Sequence, residues 1–387
     1  MNPTVIRDRR VRFFSWWLAC LLLVGGGCGG SGGGGMGDGG GGGDGGGGVG
    51  GGGGGVPGTG PIHTQGAQIV LEDGTVWVGR GANLQDTRSC GQWTTESGEP
   101  LQDNATGVGE VERRADALVG TWHANFIRLT LESRRSQDTY VNDANYRGLI
   151  KQIVDHITST KGVYVLLGIW IDPSLDANGW PTDATNTILS SLATDFYDNP
   201  QVMYGVSNEP EANFDGARDP QVWDRMNSAV GAIRDAEAAR GPNRHVVSVQ
   251  GTRDWARDVS YYATHPIAAG GGANVIYESH IYDSPSDFDT LLAPSATIPM
   301  ILGEFGPVND DDHRASVADM QTLMNAASAR NVPYLAWTFH EYCPPNLIGE
   351  RPGMTWDANS TDTDGIGMAL NPTDFGARLM ADLAAHA

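Results

Sequence analysis

Asn208-Glu209-Pro210 closes an apolar run, Val202-Met203-Tyr204-Gly205-Val206-Ser207, that has the pattern of a buried β-strand. A second run, Pro299-Met300-Ile301-Leu302-Gly303, ends in Glu304-Phe305-Gly306. Each glutamate therefore stands at the C-terminal tip of a strand. When parallel strands close into a barrel, those tips open on one face, and that face carries the chemistry. Two carboxylates facing each other there can split a glycosidic bond, one as acid/base and one as nucleophile.

Other polar and aromatic residues fall in the strands or at their ends. Arg128 lies inside Asn125-Phe126-Ile127-Arg128-Leu129. A buried guanidinium needs a partner, and a carboxylate at the same mouth would be held ionised and oriented by it. His280 and Tyr282, in Ser279-His280-Ile281-Tyr282, are two positions apart and share one side of an extended chain. An imidazole and a phenol beside a nucleophilic carboxylate would orient it. Trp337 ends another strand, where a flat ring suits a sugar face, with core packing as the competing role. Trp93, Trp170, Trp180, Trp255 and Tyr342 are further candidate platforms, with ordinary packing as the competing role of each.

The elements that must position these residues alternate. Candidate strands are 77–82, 124–130, 162–169, 201–207, 244–250, 274–280, 298–303 and 333–338. Helical stretches are expected near 109–121, 143–159, 184–197, 220–239, 256–263, 285–293, 313–330 and 372–384. Eight strands alternating with eight helices predict an α/β fold, a closed (β/α)8 TIM barrel. Before it, Gln68–Leu71 and Thr75–Val78 around Asp73-Gly74 read as an N-terminal β-hairpin. The open, doubly wound alternative would predict a glycine-rich phosphate loop after the first strand, and Gly79-Arg80-Gly81-Ala82-Asn83 is too short for one.

The remainder of the 387 residues is not barrel. Residues 1–24 have a basic start with four arginines and an apolar stretch from Phe13 to Val24, the layout of a secretory signal. Residues 25–60 hold 27 of the 55 glycines and read as a flexible low-complexity linker. Residues 61–387 form the single catalytic domain. Cys28 or Cys20 could carry a lipid that anchors the chain to a membrane, with simple secretion as the alternative. The expected location is outside a bacterial cell or on its surface. The net charge of −21 repels phosphate backbones and excludes nucleic acid as a partner, while a neutral polysaccharide or oligosaccharide is compatible with it. No cofactor or metal is expected. Asp362-Thr363-Asp364-Gly365 hints at calcium, but the later bidentate glutamate is missing. A monomer is expected.

Taken in order, Asn208-Glu209-Pro210 after the fourth strand, Gly251-Thr252-x-x-Trp255 after the fifth, His280-x-Tyr282 after the sixth and Gly303-Glu304-Phe305-Gly306 after the seventh resemble glycoside hydrolase family 5. This is the cellulase and mannanase family of retaining (β/α)8 enzymes. The resemblance spans the whole domain. It implies that Glu209 is the acid/base and Glu304 the nucleophile. It also implies that Asn208 bonds the sugar 2-hydroxyl, that Arg128 and Tyr282 hold Glu304, and that Trp337 floors the cleavage subsite. Glu209 must be protonated to help the leaving oxygen depart, and Glu304 must be ionised, which a neighbouring arginine favours. Glu341, near the eighth strand tip, has no matching role. One departure stands out: Trp170 takes the place after the third strand where the family usually has a histidine.

The expected activity is a retaining endo-β-glycosidase acting on β-linked polysaccharide, β-1,4-glucan first. The alternatives are a β-mannanase, a transglycosylase or a non-catalytic carbohydrate-binding barrel. Cys90 and Cys343 fall in the loops after the first and eighth strands, which are neighbours in a closed barrel, so a disulfide between them is expected.

Overall fold

The computed structural model describes residues 61–88, 103–160, 162–242, 244–310, 313–341, 343–349, 352–353, 367 and 369–387. The signal-like segment, the glycine tract, Cys20, Cys28, Cys90, Trp93, Tyr342 and the Asp362–Gly365 loop lie outside the described residues.

Eight runs rich in β-branched and aliphatic residues pair side by side in parallel and close on themselves. They are β3 (Arg80–Gln85), β4 (Phe126–Glu132), β5 (Tyr164–Ile171), β6 (Val202–Gly205), β7 (Val247–Gln250), β8 (Val275–Ile281), β9 (Met300–Phe305) and β12 (Tyr334–Ala336). The barrel closes where β12 pairs with β3, Leu335 opposite Gly81 and Ala336 opposite Ala82. Short antiparallel pairs decorate it: β1 (His63–Gln65) with β2 (Gln68–Val70), β10 (Val308–Asn309) with β11 (Arg314–Ala315), and β13 (Ile348–Gly349) with β14 (Asn371–Pro372).

Among the described residues, seven α-helices pack outside: α1 (Ala105–Asp116), α2 (Ala144–Ser159), α3 (Asp183–Asp195), α4 (Asp219–Arg240), α5 (Phe288–Leu292), α6 (Val317–Ser328) and α7 (Asp374–Ala385). Their starts are written in the sequence. Asn104, Asp143, Thr182, Ser316 and Thr373 cap free backbone N–H groups of α1, α2, α3, α6 and α7. The outward residues of the strands and the inner faces of the helices make the main core. Inside the barrel floor a smaller apolar cluster joins Ile69 and Trp77 to Phe126, Leu166, Met203, Ile276, Ile301 and Leu335. Trp77 meets the ring of Phe126 at 5.2 Å and that of Tyr164 at 5.1 Å, both edge-on. The N-terminal segment thus plugs the end of the barrel opposite the strand tips.

Two local expectations differ from the structure. A strand ladder around Gly66, one turn earlier than expected, precedes the hairpin at Asp73-Gly74, which is held by the bridge Val70–Val76 and by bonds from Leu71 N–H to the Thr75 carbonyl and from Trp77 N–H to the Ile69 carbonyl, both at 2.8 Å. No α-helix forms over 256–263. Asp254, Trp255 and Ala256 take left-handed backbone (φ 55°, 56° and 65°), which breaks a helix before it starts, and the segment beyond holds only 3₁₀ turns at Ser260–Ala263 and Ala269–Gly272.

Candidate active site

Strand alternation decides which side chains enter the barrel. On β4 the inward set is Phe126, Arg128 and Thr130. On β8 it is Ile276, Glu278 and His280. On β7 it is Val246, just before the strand, with Ser248 and Gln250. Above the apolar floor these inward positions turn polar, and the site is built on that layer.

On β9, Ile301 belongs to the inner cluster while Met300, Leu302 and Phe305 belong to the outer core. Strict alternation would send Glu304 outward with Met300 and Leu302. A register shift prevents it: Ser279 pairs with Leu302, but His280 pairs with Glu304, so Gly303 is an extra residue in β9. The bulge re-aims Glu304 into the barrel, as bulges beside sites do. A Cβ on Gly303 would fall 2.1 Å from Glu278 Oε1, so only glycine fits there.

Glu304 is buried, and its Oε1 accepts from Arg128 Nη1 at 2.6 Å. Its Oε2 accepts from the Tyr282 hydroxyl at 3.1 Å, with His280 Nδ1 at 3.6 Å. Arg128, fully buried, also donates to Asn83 Oδ1 at 2.9 Å and to Asn208 Oδ1 at 2.8 Å. Glu209 stands opposite with left-handed backbone (φ 46°) before Pro210, held by its N–H on Gln250 Oε1. Its side chain is 23% exposed against 4% for Glu304, and its Oε1 meets His280 Nδ1 at 3.0 Å. One oxygen of Glu209 and one of Glu304 lie within 4.8 Å of each other.

Burial pushes the Glu304 carboxyl up, and Glu209 adds to the rise, while His280 and Arg128 oppose it. The net direction is upward, the reverse of what Arg128 alone would produce. The donors Arg128 and Tyr282 converge on Glu304 and favour its ionised form. Burial alone would lower the His280 imidazole, but Glu304, Glu209 and Glu278 outweigh it and raise it to about 9.

Trp170 and Trp337 meet at 5.2 Å between ring centres, tilted by 45°, and line one side of the mouth. Trp255 is half-buried and packs against the exposed Phe214 at 5.0 Å. Trp180 is no platform: it is buried in the core, and its indole N–H donates to the Glu211 carbonyl at 2.9 Å. Glu341 is buried and paired with Arg114 at 2.8 Å, away from Glu209 and Glu304.

Sequence reasoning missed Asn83, Ser248, Gln250 and Glu278, all fully buried. Glu278 carried a readable signal. It is a carboxylate inside the apolar run Val275-Ile276-Tyr277, two positions before His280 and so on the same face.

Paired carboxylates on the C-terminal rim of a (β/α)8 barrel, each met by its own donors, are the plan of a glycoside hydrolase. The chain belongs to the cellulase family, glycosyl hydrolase family 5, whose family model matches residues 91–342. Among solved structures it is similar to the catalytic domain of the Thermobifida fusca endoglucanase Cel5A, at 20% identity and a TM-score of 0.60, over 84% of this chain and 98% of that one. A Saccharophagus degradans beta-glucanase in complex with cellotetraose matches at 18% identity and a TM-score of 0.60, over 85% and 94%. The catalytic domain of a Streptomyces sp. SirexAA-E mannanase matches at 19% and 0.58, over 83% and 90%. At these identities the structural likenesses speak for the barrel, and substrate must be argued from the site.

Proposed function

We propose that this chain is a retaining endo-β-glycosidase acting on β-1,4-glucan, with Glu304 as nucleophile and Glu209 as acid/base. The observation that carries the reading is the asymmetry of the pair. Arg128 and Tyr282 both donate to Glu304, whereas Glu209 is more open and meets only His280. A carboxylate fixed by two donors is suited to attack an anomeric carbon, and an accessible carboxyl is suited to pass a proton. The separation supports retention, because a gap within 4.8 Å leaves no room for the water an inverting enzyme places between substrate and base.

In the first step Glu304 forms the bond to the anomeric carbon as the glycosidic bond breaks, and the proton of Glu209 goes to the leaving oxygen. In the second step Glu209 takes a proton from water, which displaces Glu304. Asn208 accepts from Arg128 through Oδ1, which leaves its amide N–H groups for the sugar 2-hydroxyl. Half-buried Trp170 offers a ring face to a sugar beside Trp337, whose ring is only 5% exposed and would floor the cleavage subsite.

The test is a panel of soluble β-glucans and β-mannans with two variants. Glu304→Ala should abolish turnover, with azide giving partial rescue and an inverted product. Glu209→Ala should slow polysaccharide by about 10²–10⁴-fold and spare substrates with good leaving groups. Wild-type-like activity of either variant on polysaccharide would overturn the roles. Preference for mannan would move the substrate class, sugar-to-sugar transfer at high substrate would indicate a transglycosylase, and binding without cleavage would indicate a carbohydrate-binding barrel.

Export belongs to the same proposal. A polysaccharide too large to enter the cell is met outside it, which suits the signal-like start and the glycine tether. Cys343 is buried, and a disulfide from it is part of the proposal. Cys90 lies outside the described residues and is proposed as its partner, which peptide mapping without reductant would test.

A further inference from the structure

Behind the catalytic pair lies a carboxylate that the reaction itself does not use. Glu278 is fully buried inside the barrel on β8. Its Oε1 accepts from His280 Nε2 at 3.0 Å and from Gln250 Nε2 at 3.1 Å, and its Oε2 accepts from Ser248 Oγ at 2.6 Å. Arg128 Nε is in charge contact with it at 3.2 Å. Glu278 thus joins the two cations of the site, the one that holds Glu304 and the one that touches Glu209. Space for this arrangement is reserved by glycines on neighbouring strands. A Cβ on Gly303 would strike Glu278, and a Cβ on Gly168 would lie 3.0 Å from Arg128 Nε.

We propose that Glu278 is a positioning residue: it binds the Nε2–H of His280 from behind, so that the opposite N–H is committed to the two catalytic glutamates. The inference rests on the reading of Glu209 and Glu304 given above. Its geometric basis is the environment of the ring. Nε2 faces Glu278 Oε1 at 3.0 Å, with the Gln250 amide nitrogen beside it at 3.2 Å, and Nδ1 faces Glu209 at 3.0 Å and Glu304 at 3.6 Å. Carboxylate oxygens at both ends, Glu278 on one and Glu304 on the other, favour hydrogens on both nitrogens.

In the first step negative charge leaves Glu304 as it becomes an ester and appears on Glu209 as it loses its proton. An imidazolium N–H between the two oxygens can follow that charge without moving far. Glu278 keeps that N–H charged by sitting on the other side. The groups facing His280 are Glu278 from β8, Glu209 from the loop after β6, Glu304 from β9 and the uncharged Gln250 from β7. Arg128, from β4, reaches the ring only through Glu278 and Glu304. Glu278 itself is ionised: burial would raise it, but Arg128, His280 and Ser248 hold it down at about 2.

The test is Glu278→Gln in the full chain, with Glu341→Gln as the control, a buried carboxylate paired with Arg114 outside the site. Glu278→Gln should lower kcat on β-glucan about tenfold at neutral pH and leave KM unchanged. The alkaline limb of its kcat profile should move down by about one pH unit or more, because the cation loses its counter-charge. Glu341→Gln should keep the wild-type profile. Ring ¹⁵N signals of labelled histidine, with His280 assigned by His280→Asn, should show both nitrogens protonated at neutral pH in the wild type, so the proposal is tested even if Glu278→Gln does not fold. A wild-type His280 that is neutral at neutral pH, or a Glu278→Gln profile superimposable on the wild type, overturns the proposal. If the wild type cleaves no β-glycan, the functional reading fails, while the titration of His280 still decides the role of Glu278.

Discussion

Arg128 contacts four residues on four different segments: Asn83 on β3, Asn208 after β6, Glu278 on β8 and Glu304 on β9. One side chain therefore sets the geometry of most of the site. Arg128→Met would leave two buried carboxylates without their cation and should cost about 3–5 kcal/mol of stability, read by urea unfolding. Lysine is a poor replacement, because a point charge cannot serve a fork of partners at once. His280 makes a separate prediction. Its folded value of about 9 lies above the ordinary 6.5, so its stabilisation is full below about 6.5 and is lost as pH rises through about 9. The melting temperature should fall across that window in the wild type and much less in His280→Asn. Trp170, where the family usually has histidine, should act by its face. Trp170→Ala should weaken binding of longer oligosaccharides and Trp170→Phe should do so less, as titration of both would show. Loss of melting temperature with unchanged affinity would make Trp170 simple packing.

Glycine has opposite meanings in two elements. Gly303, at the bulge of β9, is enclosed by Glu278, and Gly303→Ala should cost about 1–3 kcal/mol and disturb the pH profile along with stability. Gly148, in the middle of α2, is exposed, and an added Cβ there meets nothing within 4 Å. Gly148→Ala should stabilise by about 0.5–1 kcal/mol, since alanine loses less backbone freedom and helical geometry suits it. Thermal melts of the two variants should shift in opposite directions. The segment after β7 illustrates a different balance. Its composition suggests a helix at 256–263, but the left-handed residues Asp254, Trp255 and Ala256 place Trp255 beside Phe214, and the chain beyond them is irregular.

The barrel closes at the seam of β12 and β3, and Asn83 ties that seam to the chemistry. Its amide donates to the Gly303 carbonyl at 2.9 Å and the Ala336 carbonyl at 3.3 Å, while its Oδ1 accepts from Arg128. Asn83→Ala should cost about 1–3 kcal/mol and lower kcat as well, because closure and the seat of Arg128 depend on one residue. A variant that melts early yet keeps full turnover would separate the two. Arg114 performs a purely structural version of the same task. It pairs with Glu110 on its own helix and with Glu341 after β12, fastening α1 to the loop beyond the last strand.

The alternation of strands and helices and the strand-tip positions of Glu209 and Glu304 are legible in the chain without its fold. These features are local: hydrophobic period and turn chemistry are set by neighbours a few residues apart. The same local reading found Arg128, His280 and Tyr282, because a polar group inside an apolar strand announces itself. It passed over Gln250, Ser248 and Glu278, whose partners come from strands distant in the chain. It also could not aim Glu304. By strict alternation that side chain belongs with Met300 and Leu302 in the outer core, and only the slip of register against β8, with Gly303 as the extra residue, brings it to His280. Register between strands is decided by packing across the closed barrel, and no stretch of sequence carries it alone.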